Sequence, residues 1–371
     1  SGTFCDLARN ASDQFETAER GRDDLAAFLY TSGTTGRSKG AMLTHNNLLS
    51  NTETLVGEWR FSGEDVLLHA LPIFHTHGLF VATNIILLGR ASMIFLPKFD
   101  VDLVFAVLPQ ATSMMGVPTF YTRLLDNPKF DKNVSENIRL FISGSAPLSA
   151  DTHKMFKKRT GLSILERYGM TETNMSTSNP YRGNRIAGTI GKALPGVEIR
   201  ITDRVTGEVL PDGSIGVIEQ RGENVFSGYW KMPSKTDDSF TKDNYFKTED
   251  LGKFDNNGYL EIVGRLKDLI ISGGFNIYPK EIEDVINNIE GVKESAVIGV
   301  PHKDLGESVL SIIIKDDLIQ IDSKKISEIL KNKLAKYKCP KAYVFKISLP
   351  RNNLGKILKN KLREEYNDYY K

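Results

Sequence analysis

Residues 25–40 read LAAFLYTSGTTGRSKG and join a short apolar run to a polar loop rich in hydroxyl side chains. The apolar run, residues 25–30, predicts a buried strand that ends where the loop begins. Gly33 and Gly36 let the backbone turn so that successive N–H groups point into one concavity, and Lys39 adds positive charge. That combination suits a polyphosphate. Lys39 follows Gly36 by three residues, so the spacing of a Walker A loop is not met.

Further apolar runs follow this loop and alternate with helical or turn segments. Such alternation predicts an α/β architecture with a largely parallel sheet. The runs are VLLHALPI (66–73), ASMIFLP (91–97), ATSMMGV (111–117) and IRLFISG (138–144).

The pattern changes twice in the second half of the chain. Residues 188–222 are short β-type segments punctuated by Gly, Pro and Asp, which predicts a small antiparallel barrel or sheet. Beyond residue 267, two amphipathic helical segments flank the strand-like KESAVIGVP (293–301), as in a small α+β module. We therefore predict a large layered α/β domain with a barrel-like part at residues 1–266 and a small α+β domain at residues 267–371.

Composition excludes several classes of protein. The 371 residues include 48 Lys and Arg and 46 Asp and Glu, so the chain lacks the basic field that nucleic-acid binding requires. Cys5 and Cys339 stand at opposite ends of the chain, which excludes a disulfide framework and a metal knuckle. The apolar runs are too short to cross a membrane, and no signal peptide is visible. A cytoplasmic location is the default.

Three later motifs are each ordinary turns when read singly. YGMTET (168–173) offers an aromatic ring for a base, a hydroxyl for a phosphate and a carboxylate for Mg²⁺. YFKTEDLG (245–252), followed by GRLKD (264–268), carries a carboxylate suited to both hydroxyls of a ribose. LPRNNLGK (349–356) ends in a lysine after a glycine turn.

Taken together and in this order, the four motifs resemble those of the adenylate-forming superfamily of acyl-CoA synthetases, aryl-CoA ligases, luciferases and peptide-synthetase adenylation domains. The resemblance runs over essentially the whole chain and implies ATP, Mg²⁺ and coenzyme A as ligands. It implies phosphate binding by Thr31, Ser32, Gly33, Thr34, Thr35, Gly36, Lys39 and Thr171. It further implies adenine stacking by Tyr168, a Mg²⁺ ligand in Glu172, ribose contacts by Asp250 and Arg265, and a catalytic Lys356 at the α-phosphate.

The same resemblance implies two poses of the small domain. Lys267 falls at the family's hinge position, and Lys356 would serve the pose that forms the adenylate. Gly273 and Gly274 would line the pantetheine passage in the thioester-forming pose, where glycines allow a backbone to approach a thin ligand closely.

The residue before Tyr168 departs from the commoner family pattern, in which it is small. Arg167 would block a fatty or aromatic chain and could bind a second carboxylate bidentately. With LPIFHTHGLF (71–80) and GVPTFYTRLL (116–125), this resembles malonyl-CoA synthetases, which implies distal-carboxylate contacts from Arg167 and Ser145, with Arg123 and His77 as further candidates. Alternatively, Arg167 forms a structural ion pair with Glu166 or another acid, Arg123 is a solvated helix end, and His77 is a wall residue.

Malonate or methylmalonate is therefore the predicted acid. The alternatives are another carboxylate–CoA ligase for medium-chain or aromatic acids, or an inactive nucleotide-binding fragment. The family carries a further subdomain before its phosphate loop, so we expect an N-terminally truncated domain with an exposed apolar face. The context of Lys356 also resembles that in which bacterial acyl-CoA synthetases are silenced by a lysine acetyltransferase.

Overall fold

The computed structural model describes residues 3–31, 38–316, 319–351 and 356–370. The first strands are β1 (Leu25–Thr31), β2 (Lys39–Thr44), β3 (Val66–His69), β4 (Ser92–Phe95), β5 (Ser113–Gly116), β6 (Leu140–Ser143), β7 (Leu165–Met170), β8 (Asn174–Ser178) and β9 (Lys192–Ala193). The later strands are β10 (Val197–Thr202), β11 (Gly216–Gly222), β12 (Gly228–Tyr229), β13 (Phe246–Phe254), β14 (Leu260–Arg265), β15 (Ile270–Ser272), β16 (Phe275–Ile277), β17 (Val292–His302), β18 (Gly306–Lys315) and β19 (Ala342–Lys346). The helices are α1 (Thr3–Asn10), α2 (His45–Trp59), α3 (Thr83–Leu88), α4 (Val101–Val107), α5 (Pro118–Asp126), α6 (Ala150–Thr160), α7 (Pro233–Ser239), α8 (Pro279–Asn287), α9 (Ser323–Lys333) and α10 (Lys359–Glu365).

The predicted parallel sheet is present. Strands β4, β3, β5, β6 and β7 lie side by side in that order and are all parallel, and β8 and β9 extend the sheet in antiparallel fashion. Every residue of β5 and β6 is buried, as expected for strands that are covered on both faces. The candidate site residues after β6 and on β7 are therefore positioned by a sheet with a buried centre.

The interpretation of residues 25–30 as a buried strand is wrong. β1 pairs antiparallel with β2 at the edge of a separate three-stranded sheet, and β12 lies on the other side of β2. Phe28 is 40% exposed and Tyr30 is 70% exposed. An apolar run alone does not distinguish a strand covered on both faces from an edge strand, so the sequence pattern misled.

A four-stranded antiparallel sheet follows, in the order β10-β11-β13-β14. It confirms the small antiparallel part predicted from residues 188–222. The antiparallel pairing of the consecutive strands β13 and β14 places Asp250 directly opposite Arg265. This sheet thus supplies two of the predicted nucleotide-binding residues.

The last sheet contains β15 to β19, and α8, α9 and α10 accompany it. Of the two predicted amphipathic helical segments, the first corresponds to α8, and the predicted strand at 293–301 corresponds to β17. This arrangement confirms the α/β class with a small α+β part at the C-terminal side, and the boundary at residue 267 stays a prediction. No helix in the described ranges has both the length and the apolar character needed to span a membrane.

Candidate active site

The predicted phosphate-binding segment begins and ends on paired strands. Thr31 is the last residue of β1, Lys39 is the first residue of β2, and the two lie opposite each other. The other predicted phosphate contacts on this segment lie outside the described residues, namely Ser32, Gly33, Thr34, Thr35 and Gly36. Their roles stay predictions.

Lys39 lies against Tyr229, which also contacts Glu172. The Lys39 Nζ is 3.5 Å from the Tyr229 hydroxyl and 4.5 Å from the centroid of its ring. The Tyr229 hydroxyl donates a hydrogen bond of 2.9 Å to Glu172 Oε1. Burial raises the pKa of Glu172 above its ordinary value, and burial together with Lys235 lowers the pKa of Lys39. A cation, a phenol and a carboxylate therefore lie in a row.

Local structure holds Tyr229 in this place. It lies on β12, opposite Ala41 of β2, and its backbone N–H donates to the side-chain oxygen of Thr236. The preceding Gly228 has φ 131°, and a Cβ there would lie 2.5 Å from a Thr236 methyl carbon. Sequence reasoning missed Tyr229 because its partners are distant along the chain and a Gly-Tyr pair in a turn-rich segment carries no periodic signal.

Tyr168, Asp250 and Arg265 form a second group. The Tyr168 hydroxyl donates to Asp250 Oδ2 at 2.6 Å, and Arg265 Nε lies 2.9 Å from Asp250 Oδ1. Burial, reinforced by Asp250, raises the pKa of Tyr168 well above its usual range. Asp250 raises the pKa of Arg265. Both carboxylate oxygens of Asp250 are thus oriented, and each keeps a further lone pair for a ligand hydroxyl.

Lys356 lies close enough to this group to interact with it electrostatically. Burial of its ammonium is the main reason that the pKa of Lys356 falls to about 8, and the charge of Arg265 lowers it further. Lys267 acts in the same direction, whereas Asp250 and Asp268 oppose the shift. A lysine of the C-terminal part therefore stands beside ribose-contact candidates of the large part.

The remaining candidates of this half are distributed around the junction between the two parts. Thr171 is half-buried in the turn between β7 and β8. Lys267 lies in a short 3₁₀ turn after β14, and the next residue, Asp268, forms an ion pair of 2.6 Å with Arg363 of α10. Gly273 and Gly274 form the turn between β15 and β16 with φ values of 56° and 82°, which glycine adopts readily.

Arg167 is the most unusual residue of the site. It is 3% exposed, and its Nε and Nη2 atoms have no hydrogen-bond partner within the described residues. Burial lowers the pKa of Arg167 to about 9. An arginine in the interior normally has a carboxylate or carbonyl partner, because an uncompensated buried charge costs several kcal/mol, on the order of 3–5. Arg167 is thus a buried guanidinium with two nitrogens that no described residue satisfies.

Gly144 and His77 lie near this guanidinium, and Ser145 contacts His77. The Ser145 hydroxyl is 3.3 Å from His77 Nδ1, and the buried His77 Nε2 has no partner in the described part of the chain. Burial and the charge of Arg167 hold the pKa of His77 well below its usual range. A Cβ on Gly144 would lie 2.4 Å from Arg167 Cζ, so only glycine leaves room for the guanidinium.

Two backbone features position these groups. Ser145 has φ 68°, an uncommon conformation for a residue other than glycine, and such conformations cluster at functional sites. His77 begins a π-helical turn, His77–Ala82, a rare element that is also frequent at functional sites. The structure therefore brings together three of the four residues predicted for the distal carboxylate. Arg123 is exposed in the last turn of α5, and no contact joins it to this group among the described residues.

Glu166 does not pair with Arg167. The two residues are consecutive on β7, so their side chains point to opposite faces of the strand. Burial raises the pKa of Glu166 to about 8, and its Oε1 has no partner in the part of the chain that the structure describes. The alternative of a structural Arg167–Glu166 ion pair is therefore wrong, and burial favours the protonated form of Glu166.

We expect Glu166→Gln to stabilise the protein in alkaline solution. The folded state binds a proton on Glu166 that the unfolded state releases, so the wild type loses stability as the pH rises from 4.5 to about 8. At pH 9 the free energy of unfolding of the variant should exceed that of the wild type by up to about 4 kcal/mol. Urea unfolding at several pH values measures this, and a difference that does not change with pH would contradict it.

Two family models match the chain. One, described as AMP-binding enzyme, matches residues 4–230, and the other, described as AMP-binding enzyme C-terminal domain, matches residues 281–356. Together they cover the residues from α1 to just after β12 and from within α8 to Lys356.

Curated relatives include ligases for different acids. The malonate–CoA ligase of Arabidopsis thaliana is 37% identical over 383 aligned residues, which cover 95% of this chain and 62% of that protein. The long-chain-fatty-acid–CoA ligase of Bacillus subtilis (strain 168) is 36% identical over 348 residues, covering 92% of this chain and 62% of that protein. The chain therefore spans less than two thirds of the length of these relatives.

A solved relative is still more similar. MatB from Rhodopseudomonas palustris with ATP bound is 58% identical and has a TM-score of 0.98, covering 100% of this chain and 74% of that one. The apo structure of MatB, with the same identity and coverage, has a TM-score of 0.82. The arrangement of this chain therefore agrees better with the ATP-bound structure than with the apo structure.

Proposed function

This chain belongs to the AMP-binding enzyme family, and on that premise we propose that it ligates malonate, or the close analogue methylmalonate, to coenzyme A. The acid is first converted to an acyl-adenylate at the expense of ATP, with release of pyrophosphate. The thiol of coenzyme A then displaces AMP to give the thioester.

The buried guanidinium of Arg167, whose Nε and Nη2 find no partner among the described residues, supports the choice of acid. A carboxylate placed between Arg167, Ser145 and the neutral His77 would receive charge-assisted hydrogen bonds and relieve the cost of the buried charge. Arg167 lies on the same strand, β7, as Tyr168 of the nucleotide group, and the proposal places the second carboxylate of a short dicarboxylate toward that group. The malonate–CoA ligase among the relatives supports the same choice.

A long apolar acid is the competing substrate, because a long-chain-fatty-acid–CoA ligase is also among the relatives. Its terminal methyl would have to lie against a buried guanidinium without supplying an acceptor. In that arrangement the guanidinium of Arg167 has no counterion, and the alkyl chain also excludes water from it, which adds a desolvation cost.

The nucleotide half of the proposal uses the two groups around Glu172 and Asp250. Glu172 fits Mg²⁺, since the ion is commonly held by one or two carboxylates together with substrate phosphates. Bound there, Mg²⁺ would supply charge neutralisation on the phosphates. Lys39 contributes a positive charge on the same side as Glu172. On the ribose side, the carboxylate of Asp250 accepts hydrogen bonds from the ribose hydroxyls, while Arg265 and Tyr168 hold that carboxylate in place.

Lys356 provides the charge needed when the acid attacks. As the acid oxygen forms its bond to the α-phosphorus and the bond to pyrophosphate breaks, negative charge accumulates on the α-phosphate oxygens. An ammonium fixed beside Asp250 and Arg265 stabilises that charge without reorganisation. The better agreement with ATP-bound MatB supports the adenylate-forming pose for this arrangement, with Lys267 as hinge and Gly273–Gly274 reserved for the second pose.

A panel of acids tests the proposal. We expect thioester formation with malonate and methylmalonate, and kcat/KM for acetate lower by at least about 10²-fold, the value of one buried charged partner. Octanoate and coumarate should be poorer still. A preference for octanoate would show that the substrate is a fatty acid and not malonate. Absence of ATP–pyrophosphate exchange with every acid would indicate a nucleotide-binding protein without this activity.

A further inference from the structure

Tyr229 joins the two oppositely charged groups of the triphosphate side. Tyr229 and Glu172 are each 4% exposed, and the tyrosine hydroxyl and ring lie between the glutamate and the Lys39 ammonium. We propose that Tyr229 is a positioning residue that keeps Lys39 and Glu172 apart and aims each of them at magnesium-bound ATP. This inference rests on the proposed use of ATP. It adds a residue that sets the positions of the groups that bind the metal and the phosphates.

The first argument is the ion pair that does not form. Lys39 and Glu172 lie close enough for each charge to shift the pKa of the other. Nevertheless, among the described residues Lys39 forms no ion pair with Glu172 within 4 Å, and its ammonium instead rests on the Tyr229 ring at 4.5 Å from the centroid. The aromatic ring satisfies the ammonium by a cation–π contact without neutralising it. Without the ring, the two charges would pair and withdraw from the ligand.

The second argument concerns the orientation of the carboxylate. The hydrogen bond from the Tyr229 hydroxyl holds Glu172 Oε1 at 2.9 Å, and the backbone carbonyl of Glu172 accepts from the N–H of Phe226 at 2.8 Å. Side chain and backbone of Glu172 are thus both tied to residues 226–229. A partner of this kind, one bond removed from a metal ligand, typically contributes 10–100-fold to metal affinity or activity.

Two substitutions separate the roles of hydroxyl and ring. Tyr229→Phe keeps the ring under Lys39 but removes the hydroxyl, with its 2.9 Å hydrogen bond to Glu172 and its longer 3.5 Å contact with Lys39. The Mg²⁺ concentration for half-maximal ATP–pyrophosphate exchange should therefore rise about tenfold. Affinity for ATP in EDTA should stay within about twofold, because the contact of Lys39 with the ring remains. Tyr229→Leu removes both contacts and should weaken ATP binding with and without Mg²⁺ by about tenfold or more.

Tyr259→Phe is the matched control. Its hydroxyl also donates a hydrogen bond of 2.9 Å, to the carbonyl of Asn184, and Lys192 lies over its ring at 4.9 Å. The substitution therefore removes the same chemistry from a place that does not contact Glu172. We expect it to leave the Mg²⁺ requirement of exchange unchanged.

A second readout needs no acid substrate. ATP should raise the midpoint of thermal unfolding in proportion to its affinity, and the Mg²⁺ dependence of that rise should shift in Tyr229→Phe as it does in exchange. The positioning role would be overturned if Tyr229→Phe showed the same Mg²⁺ dependence as the wild type. It would also be overturned if this variant lost ATP affinity equally with and without Mg²⁺. If MgATP raises the unfolding midpoint of the wild type but malonate is not converted, the assigned acid is wrong and the role of Tyr229 is not affected. If MgATP does not change the midpoint, both the proposed function and the role of Tyr229 are wrong.

Discussion

Replacing Arg167 with methionine lowers kcat/KM for malonate by about 10²–10³-fold, because the distal carboxylate loses its buried cationic partner. The same change raises the free energy of unfolding of the ligand-free protein. Arg167 is buried and its Nε and Nη2 are unpartnered within the described residues, so the native state carries a desolvated charge that methionine removes at similar volume. We expect a gain of about 1–4 kcal/mol, the range seen when buried charges are exchanged for apolar side chains. Opposite effects on activity and stability are the signature of a binding group.

Arg185→Met is the control for this prediction. The Arg185 guanidinium donates hydrogen bonds to the carbonyl oxygens of Pro180, Ser163 and Tyr181. Its replacement should therefore leave those carbonyls without a partner, lower the stability and leave the preference among acids unchanged. Steady-state kinetics with malonate and acetate, and urea unfolding without ligand, measure both effects. Loss of stability in Arg167→Met like that in Arg185→Met would show a structural role for Arg167 instead.

Lys356→Gln has the second large effect, and it falls on one half-reaction. Removing a charge that acts on the forming adenylate should slow ATP–pyrophosphate exchange by about 10²–10³-fold. Formation of thioester from a supplied acyl-adenylate should be nearly unchanged, because the ammonium acts only in the first step. Lys361→Gln removes the charge of an exposed lysine five residues further on and should affect neither step. Equal losses in both half-reactions would contradict the assigned role.

The pKa of Lys356 adds a pH dependence to the same prediction. Because its pKa is lowered to about 8, the ammonium is charged below that pH and is lost as the pH rises through it. The kcat/KM for ATP in exchange should therefore fall above pH 8 in the wild type. Lys356→Arg, although slower, should lack that decline, since a guanidinium stays charged.

Glutamine also imitates an acetylated lysine in charge. If the predicted silencing by acetylation operates, stoichiometric acetylation at Lys356 should reproduce the loss of exchange in Lys356→Gln and spare the thioester step. Full exchange activity after acetylation would dismiss that form of regulation.

Local patterns predicted the central architecture. The four apolar runs between residues 66 and 144 correspond to β3 to β6, and the amphipathic segment after residue 279 corresponds to α8. These predictions hold because periodicity and turn residues act over a few neighbouring positions. Residues 25–30 form the predicted strand, but this strand is not buried. Its exposure depends on its position at the edge of a sheet, which the local pattern does not reveal.

The candidate site divides in the same way. The types of residue at Tyr168, Glu172, Asp250 and Lys356 were visible in short motifs, and so was the unusual arginine at position 167. Tyr229 was not visible in this way, because its proposed role arises from contacts with Glu172 and Lys39. These residues precede it by 57 and 190 positions, respectively. The same applies to Glu166, whose separation from Arg167 follows from the alternation of side chains on a strand that only the structure defines.

The order of the elements, the chemical groups available and the family resemblance can all be read from residues that are close together in the chain. Which charges are paired and which are not can be read only from the folded arrangement. Asp250 is oriented by Tyr168 and Arg265, whereas Arg167 is buried without a carboxylate partner in the described residues. Pairing and desolvation depend on neighbours in space, and these were brought together by sheets that join distant segments.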